Sequence, residues 1–275
     1  MNLLGPTIAV MAIMGAVFGI GLAFAGHKFA VETDPRVVQV RAALSGANCG
    51  GCGFPGCDGL ADAIVAGKAP ADACRPAGAK AAELIATIMG TSVDTTGERK
   101  IAEVMCAGGK DICGQRSNYV GIQDCAAADL AAGASKACAY GCLGFGTCVA
   151  ACSFGAMTMG KDGLPDVDPD KCTGCGRCAQ VCQRKIIDMV ASSKVVHVRC
   201  KNKDRGVVVR KICKVGCISC QACVRACPTK AMQFANNLAF INYDLCNNCG
   251  TCATKCPVKT IEDGGAAQTK QAATA

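Results

Sequence analysis

The chain writes one cysteine spacing twice. Cys172, Cys175, Cys178 and Cys182 recur at Cys246, Cys249, Cys252 and Cys256, an offset of 74 residues. Upstream, Cys138, Cys142, Cys148 and Cys152 recur at Cys213, Cys217, Cys223 and Cys227 with an offset of 75, which also carries Cys125 onto Cys200. Residues 125–187 and 200–262 therefore read as two copies of one module. The 275 residues hold 25 cysteines, two histidines, three tyrosines and no tryptophan, and aromatic content is 4%. Neither copy has the apolar bulk for an ordinary core, so each must be held together by its thiols. Disulfide frameworks of such density belong to short secreted chains. The other solution is metal, for which binding and folding are one event. The formal charge of +8 would by itself suggest nucleic acid. Metal-bound thiolates offset it, so no nucleic-acid partner is expected.

The second copy reads C-x2-C-x2-C-x3-C-P at Cys217, Cys220, Cys223, Cys227 and Pro228, and again at Cys246, Cys249, Cys252, Cys256 and Pro257. This is the two-cluster bacterial ferredoxin pattern, in which the fourth cysteine of each run ligates the other cluster. One four-iron cluster is expected on Cys217, Cys220, Cys223 and Cys256, the other on Cys246, Cys249, Cys252 and Cys227. Zinc sites use spaced pairs, often with histidine, rather than such triplets. In the first copy Cys172, Cys175 and Cys178 take Cys152 as the crossing ligand. The other half has Phe145 where the second copy has Cys220, so Cys142, Cys148 and crossing Cys182 fall one thiol short. Cys138, one helical turn before Cys142, is the candidate fourth, the alternative being a three-iron cluster. A further set, Cys49-x2-Cys52-x4-Cys57-x16-Cys74, lies among Gly50, Gly51 and Gly53, which let backbone fold tightly round a cluster. As a bare spacing this set also suits zinc.

Five cysteines remain. Spacing pairs Cys125 with Cys200, while local context pairs "VMC" at Cys106 with "VRC" at Cys200. Cys106, Cys125, Cys200 and Cys213 are candidates for a sixth cluster, and Cys113 is a spare. His27 and His197 are expected at an interface and in a strand, not as ligands.

No charged residue occurs from Leu3 to Gly26, a length that crosses a bilayer as a helix. No basic residue precedes the run, which argues for a retained anchor over a cleaved signal, although "AFA" at 23–25 mimics a cleavage site. Lys28, Arg36 and Arg41 follow it, so the remainder is expected on the cytoplasmic side of the inner membrane, after a single pass. Gly15 and Gly19 form a G-x-x-x-G suited to a partner helix. The predicted organisation is α+β: anchor 1–27, a mainly helical four-iron domain 28–90, linker and irregular segment 91–124, ferredoxin-like modules 125–190 and 191–263, and a disordered tail 264–275. Helices are predicted at 35–45, 58–66 and 77–89. No G-x-G-x-x-G, Walker motif or C-x-x-C-H occurs, so a relay without a substrate site of its own is expected.

The apolar N-terminus, "NCGGCGFPGCDGLADAIVAGKAP", "GIQDCAAADLAAG", "CAYGCLGFGTCVAAC", "GCISCQACVRACPTKAM" and "NNLAFINYDLC" resemble the B subunit of the Rnf complex in its long, multi-cluster form, over nearly the whole chain. The resemblance implies a four-iron domain, also found in corrinoid-handling proteins, at Cys49–Cys74. The thiol sets give five expected clusters, or six. The resemblance implies a role as one subunit of a translocase: electrons pass from soluble reduced ferredoxin into a membrane complex whose other subunits reduce NAD and move Na⁺ or H⁺. The competing readings are an anchored reductase of a redox-sensing regulator and, from another class, a zinc-stabilised interaction module.

Overall fold

The computed structural model describes residues 4–29, 34–93, 97–131 and 133–264. Helix α1 (Leu4–Lys28) carries its only basic residues, His27 and Lys28, in its last turn. At 1.5 Å per residue it is about 37 Å long, enough to span hydrocarbon with some tilt. It packs on nothing else among the described residues, and the space round Gly15 and Gly19 is open.

A helical unit follows: α2 (Pro35–Ala43), α3 (Gly56–Val65) and α4 (Gly78–Met89). Asp34 caps α2 by accepting from the Arg36 N–H at 2.9 Å, with Pro35 in the first turn where a missing N–H costs nothing. Gly90, left-handed at φ 67°, ends α4 as a glycine C-cap does. Val40, Leu60, Ile64 and Ile85 form the dry centre of this unit.

The rest is two modules built alike. In the first, β1 (Lys100–Val104), α5 (Cys125–Leu130), α6 (Thr147–Ala150), β2 (Met157–Met159), β3 (Pro165–Val167), α7 (Arg177–Val181) and β4 (Ile187–Ala191) follow in order. The second runs β5 (Val196–Val198), α8 (Gly206–Ile212), α9 (Ala222–Ala226), β6 (Met232–Ala235), β7 (Leu238–Ile241), α10 (Thr251–Thr254) and β8 (Ile261–Asp263). Each module has a central antiparallel hairpin, β2–β3 or β6–β7, and a second antiparallel pair, β1–β4 or β5–β8, that ties its ends together. The segment 91–124, expected as linker and irregular chain, thus supplies the first strand of the first module. "KIAEV" has only five residues and too little alternation to announce itself. Of the predicted linker and tail, residues 94–96 and 265–275 lie outside the described residues.

One backbone is repeated four times. The second and fourth residues after the leading cysteine are left-handed: Gly144 and Gly146 after Cys142, Gly174 and Gly176 after Cys172, Ser219 and Gln221 after Cys217, Asn248 and Gly250 after Cys246. A third left-handed residue comes three positions after each closing cysteine: Gly155, Lys185, Lys230 and Lys259. Lysine pays about 1–2 kcal/mol for that conformation, so the surrounding fold imposes it.

The units touch at defined places. A Cβ on Gly51 would run into the carbonyl of Cys175, and Gln180 Nε2 donates to the Gly51 carbonyl at 3.0 Å. The helical unit is thereby seated on the first module. Between modules, Arg199 lies between Glu103 of β1 (3.1 Å) and Glu262 of β8 (2.6 Å), and Lys201 pairs with Asp188 of β4 at 2.5 Å. The Gly114 N–H donates to the Ile212 carbonyl at 2.7 Å, and the backbones of Cys113 and Cys213 pair as an isolated antiparallel β-bridge, both thiols remaining free.

Candidate cluster sites

Five cavities open inside the modules or between them, and each is ringed by cysteines. One brings together Cys217, Cys220, Cys223 and Cys256. Another holds Cys227, Cys246, Cys249 and Cys252. A third holds Cys152, Cys172, Cys175 and Cys178. In all three the closing cysteine lines the other half's cavity, the crossed arrangement that the spacing predicts. Backbone N–H groups point at the sulfurs: Ala102 at Cys172 (3.5 Å) and Thr260 at Cys256 (3.3 Å).

The cavity of Cys142, Cys148 and Cys182 is completed by Cys125, not by Cys138. Cys125 opens the six-residue helix α5; the helix in the same order in the second module, α8, carries no cysteine. Asp124 caps that helix through the Ala126 and Ala127 N–H groups at 2.8 and 3.1 Å, and accepts from Thr147 Oγ1 at 2.8 Å. Thr147 Oγ1 in turn accepts from the Cys125 N–H at 2.9 Å, beside Cys148. The Arg184–Asp129 ion pair (2.8 Å) holds the other end of α5 beside the loop of Cys182. Phe145, which stands where the second module has Cys220, packs edge-on against Tyr119 at 5.3 Å.

Cys138 faces the other way, into a cavity of about 370 Å³ shared with Cys106, Cys113, Cys200 and Cys213. The expected roles of Cys125 and Cys138 are thus exchanged. The one-turn offset of Cys138 from Cys142 implies a shared helix face, but the residues between them form turns, not a helix. The Cys125–Cys200 pairing by offset also gives way to the local one. Cys106 and Cys200 each follow a strand, with N–H bonds to Val104 and Val198 at 2.9 Å.

In the helical unit Cys57 and Cys74 are buried in one apolar cluster, with Cys52 packed against it. Asn48 Oδ1 accepts from the Cys57 N–H at 2.8 Å and clamps the loop, whose Gly50, Gly53 and Gly56 are left-handed. Cys49 lies on the side of Cys175.

Burial pushes the thiols of Cys142 and Cys178 up to about 12 and those of Cys148, Cys223 and Cys252 up to about 11. They give up their protons only to a metal that takes them as thiolates. Thiols spread round a cavity suit a cluster better than zinc. Burial also holds His197 near 4, neutral, with Nδ1 2.9 Å from the Tyr243 hydroxyl, so it is a strand residue with a partner.

Fold and thiols together define a multi-cluster iron–sulfur protein with an apolar helix at its N-terminus. Three family models match: FeS, described as "Putative Fe-S cluster", at residues 44–76; the 4Fe-4S binding domain at 165–188; the 4Fe-4S dicluster domain at 216–260. The chain is 47% identical over 261 residues to the B subunit of the Na(+)-translocating ferredoxin:NAD(+) oxidoreductase complex of Acetobacterium woodii, covering 95% of this chain and 78% of that one. It is 41% identical to the B subunit of the ion-translocating oxidoreductase complex of Methanosarcina acetivorans, covering 93% and 97% of the two chains. To the B subunit of the proton-translocating ferredoxin:NAD(+) oxidoreductase complex of Clostridium ljungdahlii it is 42% identical, covering 95% and 93%. The chain belongs to this family, the B subunits of ion-translocating ferredoxin:NAD(+) oxidoreductase complexes, and is a membrane protein that binds [4Fe-4S] clusters.

Proposed function

We propose that the chain relays electrons from reduced ferredoxin toward the membrane part of an ion-translocating complex that reduces NAD. Five ligand sets serve it: Cys49, Cys52, Cys57 and Cys74; Cys152, Cys172, Cys175 and Cys178; Cys125, Cys142, Cys148 and Cys182; Cys217, Cys220, Cys223 and Cys256; Cys227, Cys246, Cys249 and Cys252. A four-iron cluster in such a set supplies one-electron chemistry without proton or group transfer. The protein's own work is to hold, space and insulate the sites and to choose where each end is exposed.

One observation carries the direction. Cys220 and Cys249, both in the second module, are the only exposed cysteines of the 25. The opposite end of the series is the Gly51–Cys175 contact, in the unit joined to α1. Electrons therefore enter at the second module and leave near the membrane. The entry face is basic: Lys203, Arg205, Arg210 and Lys211 are exposed, and Gly206 packs on the Ile218 carbonyl two residues from Cys220. Lys201, Arg184 and Lys171 are engaged in internal ion pairs and are not part of it. An acidic donor such as ferredoxin fits this face, with charge acting mainly on the association rate. α1 crosses the membrane once, and the Lys28, Arg36 and Arg41 that follow it support a cytoplasmic position for the modules.

The test is kinetic. Lys203→Glu with Arg205→Glu should lower the second-order rate of ferredoxin oxidation, and salt should do the same to the parent, with iron content unchanged. Deleting residues 46–90 should leave ferredoxin oxidation intact and stop NAD reduction in membranes. Full NAD reduction by the truncated protein would overturn the order of sites.

A further inference from the structure

We infer that Arg99, Lys136 and Lys194 set the reduction potentials of the sites led by Cys172, Cys142 and Cys246, and raise each above the site led by Cys217, which has no such cation. The inference rests on the ligand sets proposed above. It goes beyond them in naming the residues that fix the order in which those sites take up electrons.

The four loops of the two modules open on Cys142, Cys172, Cys217 and Cys246, and three of these carbonyls accept from a basic side chain. Arg99 Nη2 donates to the Cys172 carbonyl at 2.6 Å, Lys194 Nζ to that of Cys246 at 2.7 Å, and Lys136 Nζ to that of Cys142 at 2.8 Å. Arg99 is fixed further by the carbonyls of Pro169 and Asp170, at 2.5 and 3.1 Å. Carbonyl partners hold a charge in place without cancelling it. Glu98 feels the charge of Lys194 and offsets part of it.

The fold dictates two of these bonds in the same way. The chain leading into β1 lies on the Cys172 loop, where a Cβ on Gly174 would strike the Lys100 carbonyl. The chain leading into β5 lies on the Cys246 loop, where Asn248 donates Nδ2 to the Ser193 carbonyl at 2.7 Å and accepts from the Val195 N–H at 3.4 Å. Each strand lead therefore carries a cation to the carbonyl of the leading cysteine. Lys136 has an echo in the sequence and none in the structure. The 75-residue offset carries it onto Lys211, which is exposed in the last turn of α8. Among the described residues no side chain donates to the Cys217 carbonyl, and no charged residue lines the cavity of Cys217, Cys220, Cys223 and Cys256.

A four-iron site gains one negative charge with each electron, so a cation fixed beside its ligand loop favours the reduced state. The three bonds are partly buried, and salt screens such charges less than those in open solvent. Lys203, Arg205, Arg210 and Lys211 stand in solvent, where they guide a donor more than they hold an electron. The site with the exposed Cys220 thus has the lowest potential of the four, and an electron that arrives there runs downhill to the others.

The test is a dye-mediated redox titration, followed by EPR, of the full chain purified without oxygen; it needs no ferredoxin and no other subunit. Arg99→Gln and Lys136→Gln should each lower the midpoint of a different four-iron signal with iron content unchanged. The expected size is about tenfold in the ratio of reduced to oxidised site, about 59 mV for one electron. Lys194→Gln should lower a third signal by less. Arg99→Lys should keep most of the parent midpoint, and Lys211→Gln should shift none. Unchanged midpoints in Arg99→Gln and Lys136→Gln, or an equal shift in Arg99→Lys, would overturn the inference. In the parent, the signal altered by Cys220→Ser should have a lower midpoint than those altered by Cys125→Ser, Cys175→Ser and Cys249→Ser. Any other rank would also overturn it, so a cation variant that fails to fold does not spare it. A chain holding no iron would instead sink the ligand sets themselves.

Discussion

The two modules wrap the same loop round different supplies of thiol. In the second, the leading loop and the closing turn deliver all four thiols that line each cavity, and every one of them sits at a repeating interval. In the first, the loop after Cys142 keeps both left-handed residues, Gly144 and Gly146, yet carries Phe145 where the interval calls for cysteine. In its place Cys125, on helix α5 between β1 and the loop, lines the cavity of Cys142, Cys148 and Cys182. Backbone shape and ligand identity are therefore separable: the cradle is kept between modules by conformation, while a ligand can be imported from a distant segment. Helix α5 is held at both ends, by Asp124 and Thr147 at its start and by the Arg184–Asp129 ion pair further along.

The largest expected effect would erase the comparison altogether. Strands of three to five residues do not persist alone, so removing iron with a chelator should unfold both modules together, seen as loss of sheet signal by circular dichroism. With thiols pushed up to about 11 and 12 by burial, protons compete for them, so the loss should come sooner as pH falls. A metal-free chain with intact modules would mean that the cores, not the thiols, hold them.

Next comes the crossing. Cys256→Ala should damage the cluster of Cys217, Cys220 and Cys223, while that of Cys246, Cys249 and Cys252 keeps its four-iron EPR signal. Loss of the local signal instead would remove the crossed arrangement from the second module. A smaller effect is expected at the seat of the helical unit. Gly51→Val has no room against Cys175 and should cost about 1–3 kcal/mol of docking, slowing onward electron transfer with the iron count unchanged. Smallest of all, Asp124→Ala removes the cap of α5 and should cost about 1 kcal/mol, read as a small fall in the chelator resistance of the first module only. An equal fall in the second module would mean α5 does not serve the first alone.

Much of this was legible in the residues. Twofold spacing anticipated which thiols share three of the cavities, because a fixed loop backbone fixes the interval between its cysteines. The helices predicted at 35–45 and 77–89 are found at 35–43 and 78–89, the first starting at Pro35 and the second ending at Gly90. What spacing could not reach was any contact closed by long insertions. Cys138 sits a nominal helical turn from Cys142, and that regularity misled, because the chain turns there and aims Cys138 at the neighbouring module. The "VMC" and "VRC" echo at Cys106 and Cys200 was the better signal, since both follow equivalent strands. β1 was hidden by its brevity and by Lys100 and Glu103, the latter facing Arg199 of the other module.

The exchange of Cys125 and Cys138 is best tested by rescue. In the parent protein, Cys125→Ser should abolish one four-iron EPR signal of the first module or convert it to a three-iron one. Adding Phe145→Cys, which restores the second module's spacing, should bring the four-iron signal back. If Cys125→Ser leaves that signal untouched, and Phe145→Cys rescues Cys138→Ser instead, the imported ligand is Cys138 and the account of the first module is wrong.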